Sequence, residues 1–196
     1  MQEKLIRRSN AARTQETRSA LISAARSLFL KKGFAETGTP EIVATAKVTR
    51  GALYHHFSDK IDLFRTVVED EAKAVADQIS RAPVEDTTAI DALMKGAEMY
   101  FSAMMVPGRT RLLLIDGPSI LGHTEMSRID RETGGEELRL GLAAALPKNV
   151  QADLPLDVLA ELLSAAFDRA CLEIADGKPN EDYKLAIKTL LTALLD

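Results

Sequence analysis

The sequence predicts an all-α protein, with a three-helix head over residues 1–60 and a larger helical body over residues 61–196. Three observations carry that expectation. Strand signals are nearly absent, and glycines and prolines cut the chain into pieces of helical length. Within the pieces, apolar residues recur at three- and four-residue spacing. Charge divides along the same line: residues 1–60 hold 11 Lys+Arg against 5 Asp+Glu (+6) and residues 61–196 hold 14 against 24 (−10), giving the net −4. A basic head on an acidic body favours a polyanion at one end only.

From about Thr14 to Lys32, Leu21, Ile22, Ala25, Leu28 and Phe29 mark one buried face of a helix, which Gly33 ends by adopting a left-handed conformation. Thr39 followed by Pro40 announces a short second helix to about Ala46, a side-chain cap before a residue whose fixed φ suits the first turn. Lys47 and Val48 make a tight turn, and Thr49 caps a third helix through His56. Ser58 caps a fourth, running through Ile61, Leu63, Phe64, Val67 and Val68 towards Ile79.

Past Pro83 the body begins. One helix carries Ile90, Leu93, Met94, Ala97, Phe101 and Met104 and ends at Pro107 and Gly108. Leu112 to Ile115 follow, then a break at Gly117 and Pro118, a helical stretch interrupted at Gly134 and Gly135, and a loop from Pro147 to Pro155. The last two helices, about Leu156 to Ala175 and Glu181 to Leu195, flank a compact turn over Asp176, Gly177, Lys178 and Pro179. No run of eighteen apolar residues occurs, and Met1 to Asn10 are charged and polar where a signal peptide is apolar, so a cytoplasmic protein without membrane contact is expected. The single cysteine, Cys171, excludes an internal disulfide and reads as a small core residue.

A short helix, a tight turn and a second short helix, braced by longer helices, is the arrangement that presents one helix to the DNA major groove. On a helical wheel Leu53 and Phe57 lie together and pack inward, while Gly51, Ala52 and His55 fall on the opposite side with Tyr54 and Arg50 at its border. The outward face is small at its start, so backbone approaches the groove closely. Arg50 suits a guanine edge or a phosphate, and Tyr54 and His55 suit phosphates. Lys60 lies in the first turn of the fourth helix, where the dipole disfavours a cation; a phosphate there is attracted by both the ammonium and the free N–H groups. Lys4, Arg7, Arg8 and Arg13 lie in a segment without apolar periodicity, read as a mobile basic arm adding sequence-independent affinity.

Gly33 and Phe34, then Thr39 to Phe64, reading TPEIVATAKVTRGALYHHFSDKIDLF, resemble the DNA-binding head of TetR-type repressors. GALYHHF, followed by a Lys and then Leu-Phe, is the most specific part, and the match covers the first quarter to third of the chain. The resemblance implies that the helix holding Thr49 to His56 enters the major groove and that Thr39, Tyr54, His55 and Lys60 hold phosphates. Lys47 departs from the pattern, which commonly has Gly there; it either carries the cost of a left-handed non-Gly residue or reaches a phosphate.

The helix from Leu156 to Ala175 has one narrow polar stripe (Asp157, Glu161, Ser164, Asp168) between two apolar ones, Leu156/Leu159/Leu163/Ala166/Phe167/Ala170 and Val158/Leu162/Ala165/Leu172. A helix apolar on two sides buries both, so a second chain or a thicker core is required. The expected homodimer interface takes Leu159, Leu163 and Phe167 with Leu191 and Leu195 of the last helix, as the resemblance implies. Two heads at a fixed separation then read a palindromic double-stranded operator. The resemblance also implies a small-molecule effector, expected to be largely apolar. Met94, Phe101, Met104, Met126 and Phe167 are the candidate apolar lining, with Asp116 and His123 as polar contacts. No cofactor or metal site is expected. An enzyme is disfavoured because His55 and His56 point to different helix sides, His123 is remote, and no phosphate-binding glycine loop is present. The alternative is a helical protein-interaction module without specific DNA binding.

Overall fold

The computed structural model describes the backbone of residues 2–81, 88–147 and 154–195, and side chains within 11–81, 88–147 and 154–194. Among the described residues there are helices and no strand: α1 (Gln2–Glu36), α2 (Thr39–Ala46), α3 (Arg50–His56), α4 (Lys60–Ile79), α5 (Ala89–Met104), α6 (Arg109–Arg111), a π-helical turn (Leu112–Asp116), α7 (Gly117–Leu121), α8 (His123–Arg131), α9 (Gly134–Ala145), α10 (Leu156–Ala175) and α11 (Asn180–Leu195). The expected break at Pro83 and most of the expected loop from Pro147 to Pro155 lie outside the described residues. The chain forms two compact units, Met1–Glu69 and Asp70–Asp196, divided within α4.

In the first unit α1 begins at Gln2, so the segment expected to be a mobile basic arm forms the first turns of this helix. Glu3, Lys4, Leu5 and the residues after them are adequate helix formers, and no Gly or Pro interrupts them before Gly33. Gly33, at φ 82° and ψ 168°, breaks the helix as expected, and a last turn runs on to Glu36. The kink brings three rings together: Phe29, Phe34 and Phe64 have centroids 5.2 to 5.6 Å apart. Around them Leu21, Ala25, Ile42, Leu53, Phe57, Leu63 and Val68 are buried. Apolar burial of this kind supplies most of the stabilisation, about 25 cal/mol per Å2.

Two caps differ from expectation by one residue. Gly38, not Thr39, stands at the N-cap of α2, with Thr39 as its first helical residue and no side-chain cap. Asp59, not Ser58, caps α4: its Oδ1 accepts from Asp62 N at 2.8 Å, while Asp62 Oδ2 accepts from Ser58 N at 2.9 Å. The reciprocal carboxylate pair satisfies more free N–H groups than a serine hydroxyl alone. Thr49 does cap α3, accepting from Ala52 N at 3.1 Å. Lys47 closes α2 in the left-handed region (φ 56°, ψ 39°), the one described non-Gly residue with positive φ. We expect Lys47→Gly to stabilise the protein by roughly 0.5–1 kcal/mol, the left-handed penalty less the added chain entropy of glycine. Denaturant midpoints check this, and a lower midpoint would count against strain in the turn.

In the second unit α10 packs against α9, α5 and α11, and α5 also against α9 and α11. Leu93, Phe101, Met104, Leu142, Phe167, Cys171 and Leu191 form its core. Gly117 and Pro118 do not break the chain. Gly117 is helical, and α7 starts there with proline in its first turn. Proline has no N–H to offer and crowds the carbonyl four residues back; the π-turn before it widens the helix, with Gly117 N bonding Leu112 O five residues earlier. Gly117 is required by space, since a Cβ would meet Met126 Sδ at 2.8 Å and Leu112 O at 2.9 Å. The real break falls at Gly122 (φ 83°, ψ 161°). Likewise Gly134 and Gly135 open α9, and the interruption is Glu132 and Thr133 before them. The α10–α11 turn is as expected: Gly177 has φ 91°, and Lys178 N bonds Glu173 O at 3.1 Å. Such a closure is the usual helix stop that satisfies terminal carbonyls.

Candidate nucleic-acid interface and body cavities

The α2–α3 pair is held from beneath by Ile42, Leu53 and Phe57, all buried, with the Arg18 guanidinium 5.4 Å from the Phe57 ring centroid. That anchoring leaves Lys47, Thr49, Arg50, Gly51, Tyr54 and His55 exposed and Thr39 and Ala52 half-buried. A Cβ at Gly51 would meet only Thr49 Oγ1, at 3.9 Å, so this surface is open. Tyr54 is gathered with two of the other candidates. Hydrogen bonding from Thr39, then from Arg50, holds its phenol below the usual range, and the Arg50 guanidinium lies 5.5 Å from its ring centroid. The face thus carries a basic, donor-rich border around a small-residue start, the composition that fits a phosphate-flanked groove.

Lys60 is differently employed. Its Nζ donates to Phe34 O at 2.9 Å and Thr37 O at 3.0 Å and lies 4.2 Å from the Phe34 ring centroid. The ammonium therefore ties together two carbonyls just past the Gly33 kink, Phe34 O, which also accepts from Thr37 N, and Thr37 O, an intramolecular use the sequence did not suggest.

In the body the expected effector residues are dispersed. A cavity of about 430 Å3 is lined by α5, α9 and α10 residues including Leu93, Tyr100, Leu138 and Phe167, with Asp130 and Glu137. A second, of about 270 Å3, holds Met104, His123 and Met126 and shares Tyr100, Asp130 and Ser164 with the first. Phe167 is thus on the larger cavity, and Met104, His123 and Met126 are on the smaller. Met94 and Asp116 line neither; Asp116 instead pairs with Arg111 at 3.1 Å. Phe101 is packed in the core beside Phe167, with ring centroids 5.7 Å apart.

The polar centre between the cavities is made by residues the sequence reading did not single out as a site. Tyr100 OH bonds Asp168 Oδ1, and Ser164 Oγ bonds Asp130 Oδ2 at 3.0 Å. Burial first, and the carboxylates around it next, push the Tyr100 phenol well above its usual value. Burial likewise raises Asp130, and lifts Asp168 to about 6. The available signal was the polar stripe of α10, enclosed by two apolar ones, together with a tyrosine set among Ala97, Phe101 and Met104.

The raised Asp168 pKa has a definite sign. The folded carboxyl retains its proton up to about pH 6, whereas unfolded it releases it near 3.8, so the folded state binds more protons between these values and stability falls as pH rises through them. We expect Asp168→Asn to gain on the parent by on the order of 2 kcal/mol between pH 4 and pH 7. Paired denaturant titrations at the two pH values check this; a constant difference between the proteins would contradict it.

The residues named for a subunit interface also divide. Phe167 and Leu191 are 6% and 0% exposed, enclosed within their own body, so they are not available to a partner. Leu159 and Leu163 are half-buried, and the Leu195 side chain lies outside the described residues. The apolar residues left open are Val158 and Leu162 of the other α10 stripe and Leu185 and Leu190 of α11. No described helix is long and apolar enough to cross a membrane.

Comparison with known proteins follows the same division. Residues 21–67 match the model for bacterial regulatory proteins of the tetR family, and residues 90–196 match that for the tetracyclin repressor-like C-terminal domain. The HTH-type transcriptional repressor BepR of Brucella suis is 43% identical over 61 residues, 31% of this chain and 29% of that protein. The chain thus spans under a third of that relative's length. The transposon Tn10 TetC protein of Escherichia coli is 25% identical over 170 residues, 87% of this chain and 86% of its own. A solved TetR-family transcriptional regulator from Pectobacterium atrosepticum superimposes with a TM-score of 0.67 at 25% identity, covering 94% of both chains. With more than half of the chain matched by one model and most of the head by the other, this protein belongs to the TetR family.

Proposed function

We propose that the chain is a ligand-responsive transcriptional regulator, a repressor that binds a palindromic operator as a homodimer and is released by a small molecule. The observation carrying this reading is the exposed face of α3. It begins with Gly51 and Ala52, is bordered by Arg50, Tyr54 and His55, and is braced by buried Leu53 and Phe57. A protein-interaction module has no need of a helix start stripped of side chains, whereas close backbone approach to a groove requires it. Lys47, Thr49 and Thr39 complete the contact surface. Lys60, with two of its three N–H donors on carbonyls, acts chiefly as a strut and offers its remaining donor to a phosphate.

Pairing of subunits uses the open apolar face of α10 and α11, where Leu162 and Leu185 are 66% and 67% exposed. Exposed leucines grouped on adjacent helices are stabilised when a second copy covers them. The effector enters the body cavities, and a ligand that distinguishes two head separations by about 1–3 kcal/mol suffices to release DNA.

Fluorescence anisotropy with DNA flanking the protein's own coding region, combined with sedimentation, tests this. The parent should sediment as a dimer and bind one palindromic segment far more tightly than scrambled DNA. Arg50→Ala should change the preferred sequence, Tyr54→Phe should weaken all sequences alike, and Leu162→Glu should give monomers without palindrome preference. Binding indifferent to Arg50 and Tyr54 would overturn the assignment of α3.

A further inference from the structure

We infer that the larger body cavity takes an organic cation with an apolar body, its charge set against Asp130 and its flat or branched part against Tyr100 and Phe167. This rests on the reading of the cavity as the effector site and names the class of molecule it selects. At about 430 Å3 the cavity falls in the range of about 300–1,000 Å3 that holds drug-sized molecules, and most of its wall is aliphatic or aromatic. Its charged lining residues are Asp130 and Glu137, with no Lys, Arg or His among them.

Asp130 is unusual in what it lacks. Its Oδ2 accepts from Ser164 Oγ at 3.0 Å, but its Oδ1 makes no hydrogen bond and neither oxygen makes an ion pair among the described residues. It is not consumed as a helix cap either. A Cβ on Gly135 would come within 2.9 Å of Asp130 Oδ2, so the carboxylate sits against the start of α9, yet no α9 backbone N–H bonds it. The neighbouring Arg131 lies on the smaller cavity and acts on Asp130 only at a distance, and the buried Asp168 adds a second negative charge beyond it. Burial raises the Asp130 carboxyl, which is the cost a bound cation would relieve. Tyr100 and Phe167, with ring centroids 5.8 Å apart in an edge-to-face pair, supply the π surface on which cations are favoured. An anion entering this wall would meet two carboxylates and no base, so the expected discrimination is by sign of charge as well as by shape.

Three probes of one aromatic body test this: 1-naphthylmethylammonium, 1-naphthylmethanol and 1-naphthylacetate, titrated calorimetrically into the full-length protein. The cation should bind at least tenfold more tightly than the alcohol, and the acetate more weakly than either. Asp130→Asn should bring the cation to within about threefold of the alcohol, and its thermal melt verifies that it is folded. Equal binding of the three probes to the parent, which needs no variant, overturns charge selection but leaves the cavity as an effector site. A cation preference that survives Asp130→Asn overturns the role of Asp130. Binding by none of the three at millimolar concentration overturns both this inference and the effector cavity, whereas operator binding on the same samples decides the regulator reading separately.

Discussion

Arg109→Ala should unfold the body at ordinary temperature or leave it barely stable, with an expected loss of about 3–5 kcal/mol. Arg109 Nε lies 2.7 Å from Glu71 Oε2 and its Nη1 donates to Ala103 O at 2.7 Å, with both side chains about nine-tenths enclosed. Removing the guanidinium takes a 2.7 Å ion pair from the buried Glu71 carboxylate and a donor from the buried Ala103 carbonyl at once. The same rule predicts an asymmetry. Replacing both partners, Glu71→Leu with Arg109→Met, should recover most of the loss, because a buried ion pair gives little net stabilisation over apolar packing of similar volume. Thermal unfolding of the single and double variants measures this. A double variant no more stable than Arg109→Ala would mean that the pair's other hydrogen bonds dominate.

Gly51→Gln should abolish specific DNA binding, by about a hundredfold or more, while leaving the fold as stable as before or slightly more so. A Cβ at this position finds open space, and glycine within a helix costs roughly 0.5–1 kcal/mol relative to a better helix former. If α3 enters the groove as proposed, a long side chain at its start would hold the backbone away from the bases, where each base contact contributes about 1–3 kcal/mol. The opposite movement of affinity and stability is the diagnostic. Anisotropy and thermal melts on one preparation read both, and unchanged affinity would place the DNA contact elsewhere.

What the sequence made legible was whatever depends on neighbours in the chain. The Thr49 cap and the compact turn over Asp176 to Pro179 are legible because a capping side chain and a Gly- and Pro-containing turn are local chemistry. Thr39 and Ser58 were each assigned a capping role one position away from the residue that fills it. Spacing cannot distinguish Thr39 from Gly38, or Ser58 from Asp59, when both members of a pair suit the cap. Gly117 and Pro118 looked like a break because proline's missing N–H is a local fact, whereas the widened turn that accommodates it is held by Met126 and Leu112 closing around Gly117. The polar stripe of α10 was visible, but not its partners, since Tyr100 and Asp130 lie 68 and 34 residues from the side chains they bond. Equally, two apolar stripes on α10 are indistinguishable by pattern; only the packing of α5, α9 and α11 encloses Phe167 and leaves Leu162 open. Lys60 was recognised as misplaced for a helix start, and the carbonyls that compensate it came from the kink in α1, 23 and 26 residues earlier.

Cys171 gives the molecule an internal clock. Its thiol, 4% exposed beside Tyr100 and Asp168, is pushed by burial to about 12, so almost no thiolate exists at neutral pH while the helices stay together. Alkylation should then be slow and should quicken when the bundle loosens, and with no other cysteine in the chain every thiol-labelling event reports that one place. Anything that settles between α5 and α10 should lengthen the interval, making the reaction rate of a single sulfur a direct gauge of occupancy.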